Sequence, residues 1–473
     1  MLGNAFKAYD IRGVYPDLIT EKMAWQIGYG ASTFLLAEAA GSGQPTPMLK
    51  NVVVGRDMRT SSPSLAASLA EGITDQGGSV IDVGLVDTPF IYFAINRLDC
   101  AGGIMTTASH NPPQYNGFKI SRRKAKPVGE ATGLAEIRKA AAMADPNKHK
   151  AEPDAKGRIE ERDLWDAYIQ HVHTFLETGG AKLKVVVDAS NGMAGTMAPK
   201  VFGRRGEAVE GLEIIELYYD NTKGEFVHPP DPLVKANLKD VRERVVKEGA
   251  DLGVCFDGDA DRCMIIDEKG EVVGCDHLTA WLASWFLKKS PGSAIAYDLR
   301  SSKAVEEEVK KAGGKPVRGR VGHVFMKQAL AEHNAVFGGE LSGHFYFRDN
   351  FNCDSGAIAL ATVLTALAAS NKPMSKIIKP IASRYTQSGE INFTVEDKDE
   401  ALRDLKARFA NEGEIDELDG VTVDCFESAG WWCNVRKSNT EPLLRLNIEA
   451  RNQKLLDEML EEIAPMLGER SEH

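Results

Sequence analysis

The stretch Ala101-Gly102-Gly103-Ile104-Met105-Thr106-Thr107-Ala108-Ser109-His110-Asn111-Pro112-Pro113 changes from an apolar run into a polar loop. The run 101–105 is small and apolar, which predicts a buried strand. Pro112 and Pro113 each lack an N–H and fix their own φ, so the loop does not continue as a helix. We therefore predict a rigid loop at the end of a strand, with the Ser109 hydroxyl held on it.

The same order of strand, Ser-rich turn, helix, strand, helix, strand and polar loop occurs three times along the chain. The three opening strands each end in Asp and run through 51–57, 185–188 and 294–298. Strands that alternate with helices predict right-handed crossovers and mainly parallel sheets. The units end in loops that carry Ser109, Asp257 and Glu340. Because ligands of open α/β sheets bind beyond the carboxyl ends of strands, these loops are expected to face one cleft.

A chain of 473 residues is too long for one core, so several domains are expected. Beyond residue 384 the order becomes strand, helix, three strands and helix, which predicts an α+β domain. The fold class is therefore α/β, with three topologically similar α/β repeats that have mixed, mainly parallel sheets, plus a C-terminal α+β domain. The charged stretch 145–156 is interpreted as a linker, although a surface loop within one domain is an alternative. The predicted domains span 1–155, 156–271, 272–384 and 385–473.

Composition is typical of a soluble globular protein, with 43% apolar and 26% charged residues. No apolar run is long enough to cross a bilayer, and the first residues have no signal-peptide core. The net charge of −11 disfavours nucleic acid or an anionic membrane as partner. The seven scattered cysteines, without C-x-x-C, indicate buried free thiols and a cytoplasmic location. An anionic substrate would then require a local basic pocket.

Asp257-Gly258-Asp259-Ala260-Asp261-Arg262 places three carboxylates at alternate positions after an apolar strand. Like charges this close repel one another, and Mg²⁺ is the natural counter-ion for three such oxygens. An EF-hand loop is disfavoured because Arg262 stands at its sixth position in place of Gly, and a strand precedes it. A plain acidic turn and a haloacid-dehalogenase-type phosphatase, with the first Asp as nucleophile, remain alternatives.

Two later loops suit a phosphorylated sugar. Glu340, Ser342 and His344 lie on a Gly-rich turn and offer groups that recognise sugar hydroxyls. The segment 436–442 offers a guanidinium, an ammonium, hydroxyls and backbone N–H groups, as a phosphate monoester requires. Taken singly, these loops equally fit a polar turn and a solvated hairpin. Ser109-His110 has no G-x-S-x-G around it, and the chain has neither a Walker A sequence nor G-x-G-x-x-G.

Together these motifs resemble the α-D-phosphohexomutase superfamily, and most closely its bacterial phosphomannomutase/phosphoglucomutase branch. The matching segments occur in order over essentially the whole chain: Lys7–Gly13, Thr107–Pro112, Asp257–Arg262, Val321–His323, Gly339–His344 and Arg436–Thr440. The resemblance implies four domains around a central cleft and an isomerase. It also implies one Mg²⁺ per active site, held by Asp257, Asp259, Asp261 and the phosphate on Ser109.

The resemblance implies that Ser109 carries a phosphate and gives it to the 1- or 6-oxygen of a hexose phosphate. The bound 1,6-bisphosphate then turns end for end and returns its other phosphate to Ser109. Arg262 would add positive charge, and Lys119 and His323 would serve as general acid and base. Lys119 as a plain charge clamp is an alternative.

The remaining predicted substrate residues follow from the same resemblance. Glu340, Ser342 and His344 would hold sugar hydroxyls common to both orientations, so both mannose and glucose phosphates are expected substrates. The second phosphate would be bound by Tyr9, Arg12, Arg300, Arg436, Ser438, Asn439 and Thr440. Ordinary packing is the alternative for Tyr9, and a surface ion pair is the alternative for Arg300.

Glucose or mannose 1,6-bisphosphate is the expected activator, and the enzyme is expected to be a monomer or weak homodimer. Leu341, which is apolar, argues against an amino or acetamido group at C2 of the sugar. A phosphoglucosamine mutase and a Mg²⁺-dependent sugar phosphatase are the alternative activities. Rotation of the last domain over the substrate is a further hypothesis.

Overall fold

A computed structural model of the chain describes residues 2–41, 43, 47–203, 209–438 and 443–471. It divides the chain into two compact units. The first unit comprises Met1–Val273 and Ser342–Ser375, and the second comprises Gly274–Leu341 and Lys376–His473. The predicted domain boundaries remain a prediction.

Strands and helices alternate up to Val273. The strands are β1 (Ile11–Val14), β2 (Asn51–Arg56), β3 (Ser79–Leu85), β4 (Gly102–Thr106), β5 (Tyr115–Arg122), β6 (Ile159–Glu161), β7 (Leu183–Asp188), β8 (Leu212–Leu217), β9 (Leu252–Phe256), β10 (Cys263–Asp267) and β11 (Val272–Val273). The helices are α1 (Leu2–Ala5), α2 (Glu21–Gly41), α3 (Ser62–Asp75), α4 (Thr88–Leu98), α5 (Leu134–Met143), α6 (Trp165–His173), α7 (Ala194–Val201) and α8 (Lys239–Glu248).

The first sheet has the strand order β1-β5-β4-β2-β3-β6. Strands β2, β3, β4 and β6 run parallel, while β5 pairs antiparallel with both β4 and β1. Strand β4 is buried along its whole length, as its small apolar residues require for a strand covered on both faces. Its carboxyl end leads into the Ser109 loop.

The second sheet has the order β11-β10-β9-β7-β8, with β7 parallel to both β8 and β9. Strand β10 folds back antiparallel on β9. Strand β9 is buried throughout and ends directly before Asp257. It is the apolar strand that the sequence predicted before the Asp257 loop.

The chain then builds part of the second unit from β12 (Ala294–Asp298), β13 (Lys315–Gly319), β14 (Phe337–Gly339), α9 (Cys275–Lys289), α10 (Lys303–Lys311) and α11 (His323–His333). Strand β12 pairs in parallel with β13 and β14. It then returns to the first unit with β15 (Phe345–Phe347), β16 (Cys353–Asp354) and α12 (Gly356–Ser370). Ser355 caps α12, accepting a hydrogen bond from the Ile358 N–H.

The C-terminal segment contains α13 (Met374–Ala382), β17 (Thr386–Gln387), β18 (Ile391–Thr394), α14 (Lys398–Phe409), β19 (Glu414–Asp416), β20 (Val421–Cys425), α15 (Phe426–Ala429), β21 (Trp431–Lys437), β22 (Leu444–Ala450), α16 (Gln453–Ile463) and β23 (Glu469–Ser471). Its strands form an antiparallel sheet in the order β19-β20-β21-β22-β18-β23, and β17 also pairs with β22. Asp397 and Asn452 cap α14 and α16. This is the predicted α+β domain, so the predicted fold class is confirmed.

All seven cysteines are buried and free, as predicted. Among the described residues, no single helix has the length and apolar composition needed to cross a membrane. Helices α12 and α13 meet that test only when taken together as a bent pair.

Candidate active site

Ser109 lies on the turn after β4 with a left-handed backbone (φ 50°) and is 3% exposed. Its N–H donates to the Thr107 hydroxyl over 3.0 Å, which fixes this unusual conformation. Its own hydroxyl donates to Asp257 Oδ2 over 2.9 Å. The predicted loop thus places the Ser109 oxygen against the first carboxylate of the Asp257 loop, within the first unit.

Arg59 donates hydrogen bonds to the backbone of the Ser109 loop. This residue was not predicted from the sequence. Its guanidinium is 1% exposed and donates from Nε to Asp57 Oδ2 over 3.1 Å. It also donates to backbone carbonyl oxygens of Ser109 (2.8 Å), Asn111 (2.7 Å), Pro112 (2.6 Å) and Tyr115 (3.1 Å). One planar cation therefore satisfies acceptors that the proline-containing turn leaves without helical or sheet partners.

Asp257, Asp259 and Asp261 converge as predicted. Their side chains are buried, and one carboxylate oxygen of each lies within 4.8 Å of those of the other two. Gly258 permits this approach, because a Cβ there would lie 2.4 Å from the Ser109 carbonyl oxygen. Asp259 Oδ1 is buried and accepts no hydrogen bond from the described residues. Buried oxygen ligands with a spare acceptor fit a hard divalent cation such as Mg²⁺.

Lys119 and Thr88 contact this carboxylate cluster directly. Lys119 Nζ donates to Asp259 Oδ2 over 2.7 Å and to Asp261 Oδ2 over 2.6 Å. The Thr88 hydroxyl donates to Asp259 Oδ2 over 2.6 Å, and the Thr88 N–H donates to the Asp259 carbonyl oxygen. Thr88 starts α4, far from the acidic loop in sequence, and sequence reasoning missed it.

The pKa values of the three aspartates diverge. Burial raises the pKa of Asp257 to about 8, and the charges of Asp261 and Asp259 add to this while Arg262 opposes it. Burial also disfavours the charged form of Asp259 and Asp261, but Lys119 outweighs it and lowers the pKa of both. Burial lowers the pKa of Lys119, but the charges of Asp259 and Asp261 outweigh burial and raise the pKa overall. The ammonium therefore stays charged.

Arg262 bridges the acidic loop and the serine loop. Its Nε donates to Asp257 Oδ2 over 3.0 Å, and its Nη2 lies 3.3 Å from Ser109 Oγ. Its Nη2 also contacts His110 Nδ1. Burial, with the neighbouring Arg262 charge, holds the pKa of His110 well below its usual range, so this imidazole is neutral and accepts from the guanidinium. Arg262 thus lies beside the Ser109 hydroxyl.

Three predicted substrate residues in the first unit, Arg12, Ser342 and His344, also lie at this region. His344 Nε2 lies 3.4 Å from Asp261 Oδ1, and His344 Nδ1 lies 2.9 Å from Ser342 Oγ. Arg12 donates from Nη1 to Asn111 Oδ1 of the serine loop and from Nη2 to Asp10. Tyr9 is half-buried just before β1.

In the second unit, three guanidinium groups surround Glu390. Arg300 Nη1, Arg436 Nη2 and Arg445 Nη1 donate to its carboxylate over 3.2, 2.9 and 2.9 Å. Arg300 is also held by Asp298, to which its backbone N–H, Nε and Nη2 all donate. Burial would raise the pKa of Glu390, but the arginines lower it to about 2. Arg300 and Arg436 were predicted, whereas Glu390 and Arg445 were not.

The other predicted residues of the second unit lie near the start of α11 and the end of β21. The Glu340 carboxylate accepts the Gly322 N–H over 2.8 Å, next to His323 at the first position of α11. The Ser438 N–H donates to the Leu443 carbonyl oxygen. Asn439 and Thr440 lie outside the described residues.

Comparison with known protein families matches four successive domains along the chain. Phosphoglucomutase/phosphomannomutase alpha/beta/alpha domains I, II and III match residues 3–148, 166–270 and 275–385. The C-terminal domain of the same family matches residues 390–466. The chain belongs to the phosphoglucomutase/phosphomannomutase family.

Individual members of the family resemble the chain over nearly its whole length. A phosphomannomutase from Escherichia coli K12 is 36% identical over 450 residues, which are 94% of each chain. A protein called phosphohexose mutases, from Xanthomonas campestris pv. campestris B100, is 37% identical over 472 residues, 98% of this chain and 99% of its own.

A solved structure of a phosphoglucomutase/phosphomannomutase family protein from Burkholderia thailandensis has a TM-score of 0.83 at 31% identity. The match covers 98% of this chain and 96% of that one. The family and the enzyme class, a phosphohexomutase and so an isomerase, are therefore confirmed. The roles of the individual site residues remain predictions.

Proposed function

We propose that this protein reversibly moves a phosphoryl group between C1 and C6 of hexose phosphates. The substrates are mannose 1-phosphate and 6-phosphate and glucose 1-phosphate and 6-phosphate. The reaction runs through a phosphoserine at Ser109 and a hexose 1,6-bisphosphate, which also serves as activator. One observation carries this proposal: the Ser109 hydroxyl lies 2.9 Å from a carboxylate of a buried three-aspartate cluster, in a chain of this family.

Asp257, Asp259 and Asp261 are the residues that would hold one Mg²⁺ per active site, together with an oxygen of the Ser109 phosphate. The bound ion supplies positive charge that neutralises the phosphoryl group during transfer. When Asp257 is ionised, the three carboxylates exceed Lys119 and Arg262 by one negative charge, and a bound cation would stabilise that ionised form. The spare acceptor on Asp259 supports the same assignment.

The protein side chains do the positioning in each transfer. The bond between Ser109 Oγ and phosphorus breaks as a sugar hydroxyl oxygen bonds to phosphorus. The hydroxyl proton passes to a base, and an acid gives a proton to the departing Ser109 Oγ. Lys119 and His323 are the proposed acid and base, and Arg262 stabilises charge on the phosphoryl oxygens. Arg262 Nη2, 3.3 Å from Ser109 Oγ, supports its share of this role.

The remaining predicted site residues are proposed to bind the substrate. Glu340, Ser342 and His344 hold the 3- and 4-hydroxyls, which both orientations of the bisphosphate share. The second phosphate is bound by Tyr9, Arg12, Arg300, Arg436, Ser438, Asn439 and Thr440. The buried guanidinium of Arg436, whose Nε has no acceptor among the described residues, supports an anion site.

Mannose and glucose differ only at C2, so a site that reads O3 and O4 separates them weakly. Dual specificity follows. We further propose that the enzyme works in the cytoplasm as a monomer or weak homodimer, without a nucleic-acid or membrane partner. The net charge of −11 supports the last point.

The test is a coupled assay with Mg²⁺ and trace 1,6-bisphosphate that compares mannose, glucose and glucosamine 1-phosphates. We expect turnover of the first two within about tenfold of each other, since C2 contributes little binding energy. A large preference for glucosamine 1-phosphate would overturn the specificity. Stoichiometric release of inorganic phosphate, in place of the 6-phosphate, would indicate a phosphatase.

A further inference from the structure

A second set of metal-ligand types lies in the first unit, at the carboxyl ends of β7 and β9. Asp188 ends β7, Cys255 lies in β9, and His228 reaches them from the loop after β8. A carboxylate oxygen, the thiol sulfur and an imidazole nitrogen all lie within 4.8 Å of one another. Asp188 and Cys255 are fully buried, while the His228 side chain is 12% exposed and gives access from solvent.

The hydrogen bonds of His228 place either a proton or a metal ion beside Asp188. His228 Nδ1 lies 2.9 Å from the Pro229 carbonyl oxygen, which only accepts, so Nδ1 carries a hydrogen. In the neutral imidazole the Nε2 lone pair then faces Asp188 Oδ2 at 3.2 Å. Two acceptors face each other unless a proton or a metal ion stands between them.

The third group is a ligand that a metal ion uses and that a proton shared by Asp188 and His228 does not need. The Cys255 sulfur lies within 4.8 Å of both of these groups. As a thiol it makes a long contact of 3.8 Å to the Phe256 carbonyl oxygen, which also accepts from the Ser190 hydroxyl, 3.5 Å from the sulfur. Thiolate, imidazole and carboxylate form a ligand set preferred by Zn²⁺ and poorly suited to Mg²⁺. We propose that Asp188, His228 and Cys255 form a binding site for a thiophilic divalent cation such as Zn²⁺, separate from the Asp257–Asp261 cluster.

The surroundings of the three ligands resemble those of metal sites. The ligating imidazole donates its other N–H to a backbone carbonyl, and Asp188 Oδ1 accepts the Ser190 N–H over 2.8 Å. The Tyr218 ring packs edge-on against His228 with ring centres 5.5 Å apart. Tetrahedral zinc holds its ligands about 3.5 Å apart, so binding draws the three groups together.

The site also lies next to the start of the Asp257–Arg262 loop. Cys255 precedes Asp257 by two residues, and the Met193 N–H, from the turn after Asp188, donates to the Gly258 carbonyl oxygen over 2.8 Å. The two ligand sets nevertheless share no residue, and one offers sulfur and nitrogen while the other offers only oxygen. Occupation of the second site is therefore expected to be independent of Mg²⁺.

Cobalt(II) is the probe that tests the proposal without reference to activity. The full chain is loaded with Co²⁺ in the presence of excess Mg²⁺ and a thiol-free reductant. The wild type should show a thiolate-to-Co²⁺ charge-transfer band and the intense visible bands of tetrahedral Co²⁺. Addition of one equivalent of Zn²⁺ should remove both, and metal analysis after gel filtration should find one Zn²⁺ per chain.

Cys255→Ala should lose the charge-transfer band and bind Zn²⁺ at least about 100-fold more weakly, since one ligand of three is gone. The matched control is Cys263→Ala, which removes another fully buried thiol from the neighbouring strand β10 and should keep the band. Circular dichroism checks that both variants fold. A wild type without the band, or a band that survives in Cys255→Ala, would overturn the proposal.

Discussion

The Lys119 ammonium lies 2.6 Å from Asp261 Oδ2 and also contacts Asp259, so it neutralises the carboxylates that are proposed to hold Mg²⁺. An ammonium and a metal ion therefore compete for the same oxygens. Lys119→Met should tighten Mg²⁺ binding by about tenfold or more, because Asp259 and Asp261 lose their nearest positive charge. Turnover should fall by about 100-fold or more, because the proposed acid is lost.

Calorimetric titration with Mg²⁺ and the coupled assay measure the two effects of this substitution. Lys126→Met, which removes an exposed lysine from the same segment, is the matched control and should change neither quantity. Unchanged Mg²⁺ affinity in Lys119→Met would contradict the competition.

Loss of Thr88 is expected to weaken Mg²⁺ binding by the three carboxylates, whereas loss of Lys119 is expected to strengthen it. Its hydroxyl donates to Asp259 Oδ2 over 2.6 Å and so orients one proposed ligand. Thr88→Val should weaken the apparent Mg²⁺ affinity about tenfold, with a smaller change in turnover at saturating Mg²⁺. Activity is measured as a function of Mg²⁺ concentration. Thr74→Val removes a buried hydroxyl that donates to a carbonyl oxygen of its own helix, and it should leave the curve in place. Coincident curves for Thr88→Val and wild type would reject this role.

Arg59 stabilises the serine loop by bonding carbonyl groups that have few other donors. Arg59→Met removes the guanidinium that pairs with the buried Asp57 carboxylate. It also removes a hydrogen-bond donor from four backbone carbonyl oxygens. The free energy of unfolding of the first unit should fall by about 3–5 kcal/mol. Urea denaturation measures it. The comparison variant is Arg138→Met, whose exposed pair with Glu130 should contribute less than about 1 kcal/mol. Equal losses in the two variants would show that burial of Arg59 is unimportant.

Glu390 is expected to make the free energy of unfolding of the second unit depend on pH in the acid range. Its pKa is about 2 in the folded chain and ordinarily 4.5, so the unfolded chain binds the proton more readily. Its stabilisation is therefore complete above about pH 4.5 and is lost as pH falls toward 2. Glu390→Gln should be less stable than wild type by about 2 kcal/mol at pH 6, with a difference that shrinks progressively below pH 4.5.

Urea midpoints at several pH values measure this difference, with the exposed Glu414→Gln as the comparison. A wild-type advantage over Glu390→Gln that is constant from pH 6 to pH 3 would show that its ion pairs are not the source of the stabilisation.

Sequence reasoning located the groups that lie at strand ends. Ser109 and Asp257 follow β4 and β9 directly, and an apolar run that ends in polar residues indicates such positions. The carboxylates of the 257–262 loop could be expected to converge because alternate residues of one short loop repel unless a cation binds them. The repeat predicted the parallel sheets for a similar reason, since its strands and helices alternate.

Sequence reasoning missed the residues that act from another element. Arg59 reaches carbonyl groups about 50 residues later, and Thr88 reaches a carboxylate 171 residues later. Neither has a local pattern that distinguishes it from a surface residue. Glu390 was missed because a single glutamate beside a strand has no distinctive spacing, and only the folded sheet brings three arginines around it. The one available signal for Arg59 was its place just after a buried strand that ends in Asp.

The central claim is that Ser109 carries the phosphoryl group, and peptide mass spectrometry after incubation with glucose 1,6-bisphosphate tests it most directly. Ser190 is the matched comparison, because it too follows a buried strand with φ 50°. We predict one added phosphate, located on Ser109, in the wild type and in Ser190→Ala. Ser109→Ala should carry no phosphate, and its mutase activity should be at least about 1,000-fold lower. A phosphate found on another residue, or full turnover by Ser109→Ala, would contradict the account.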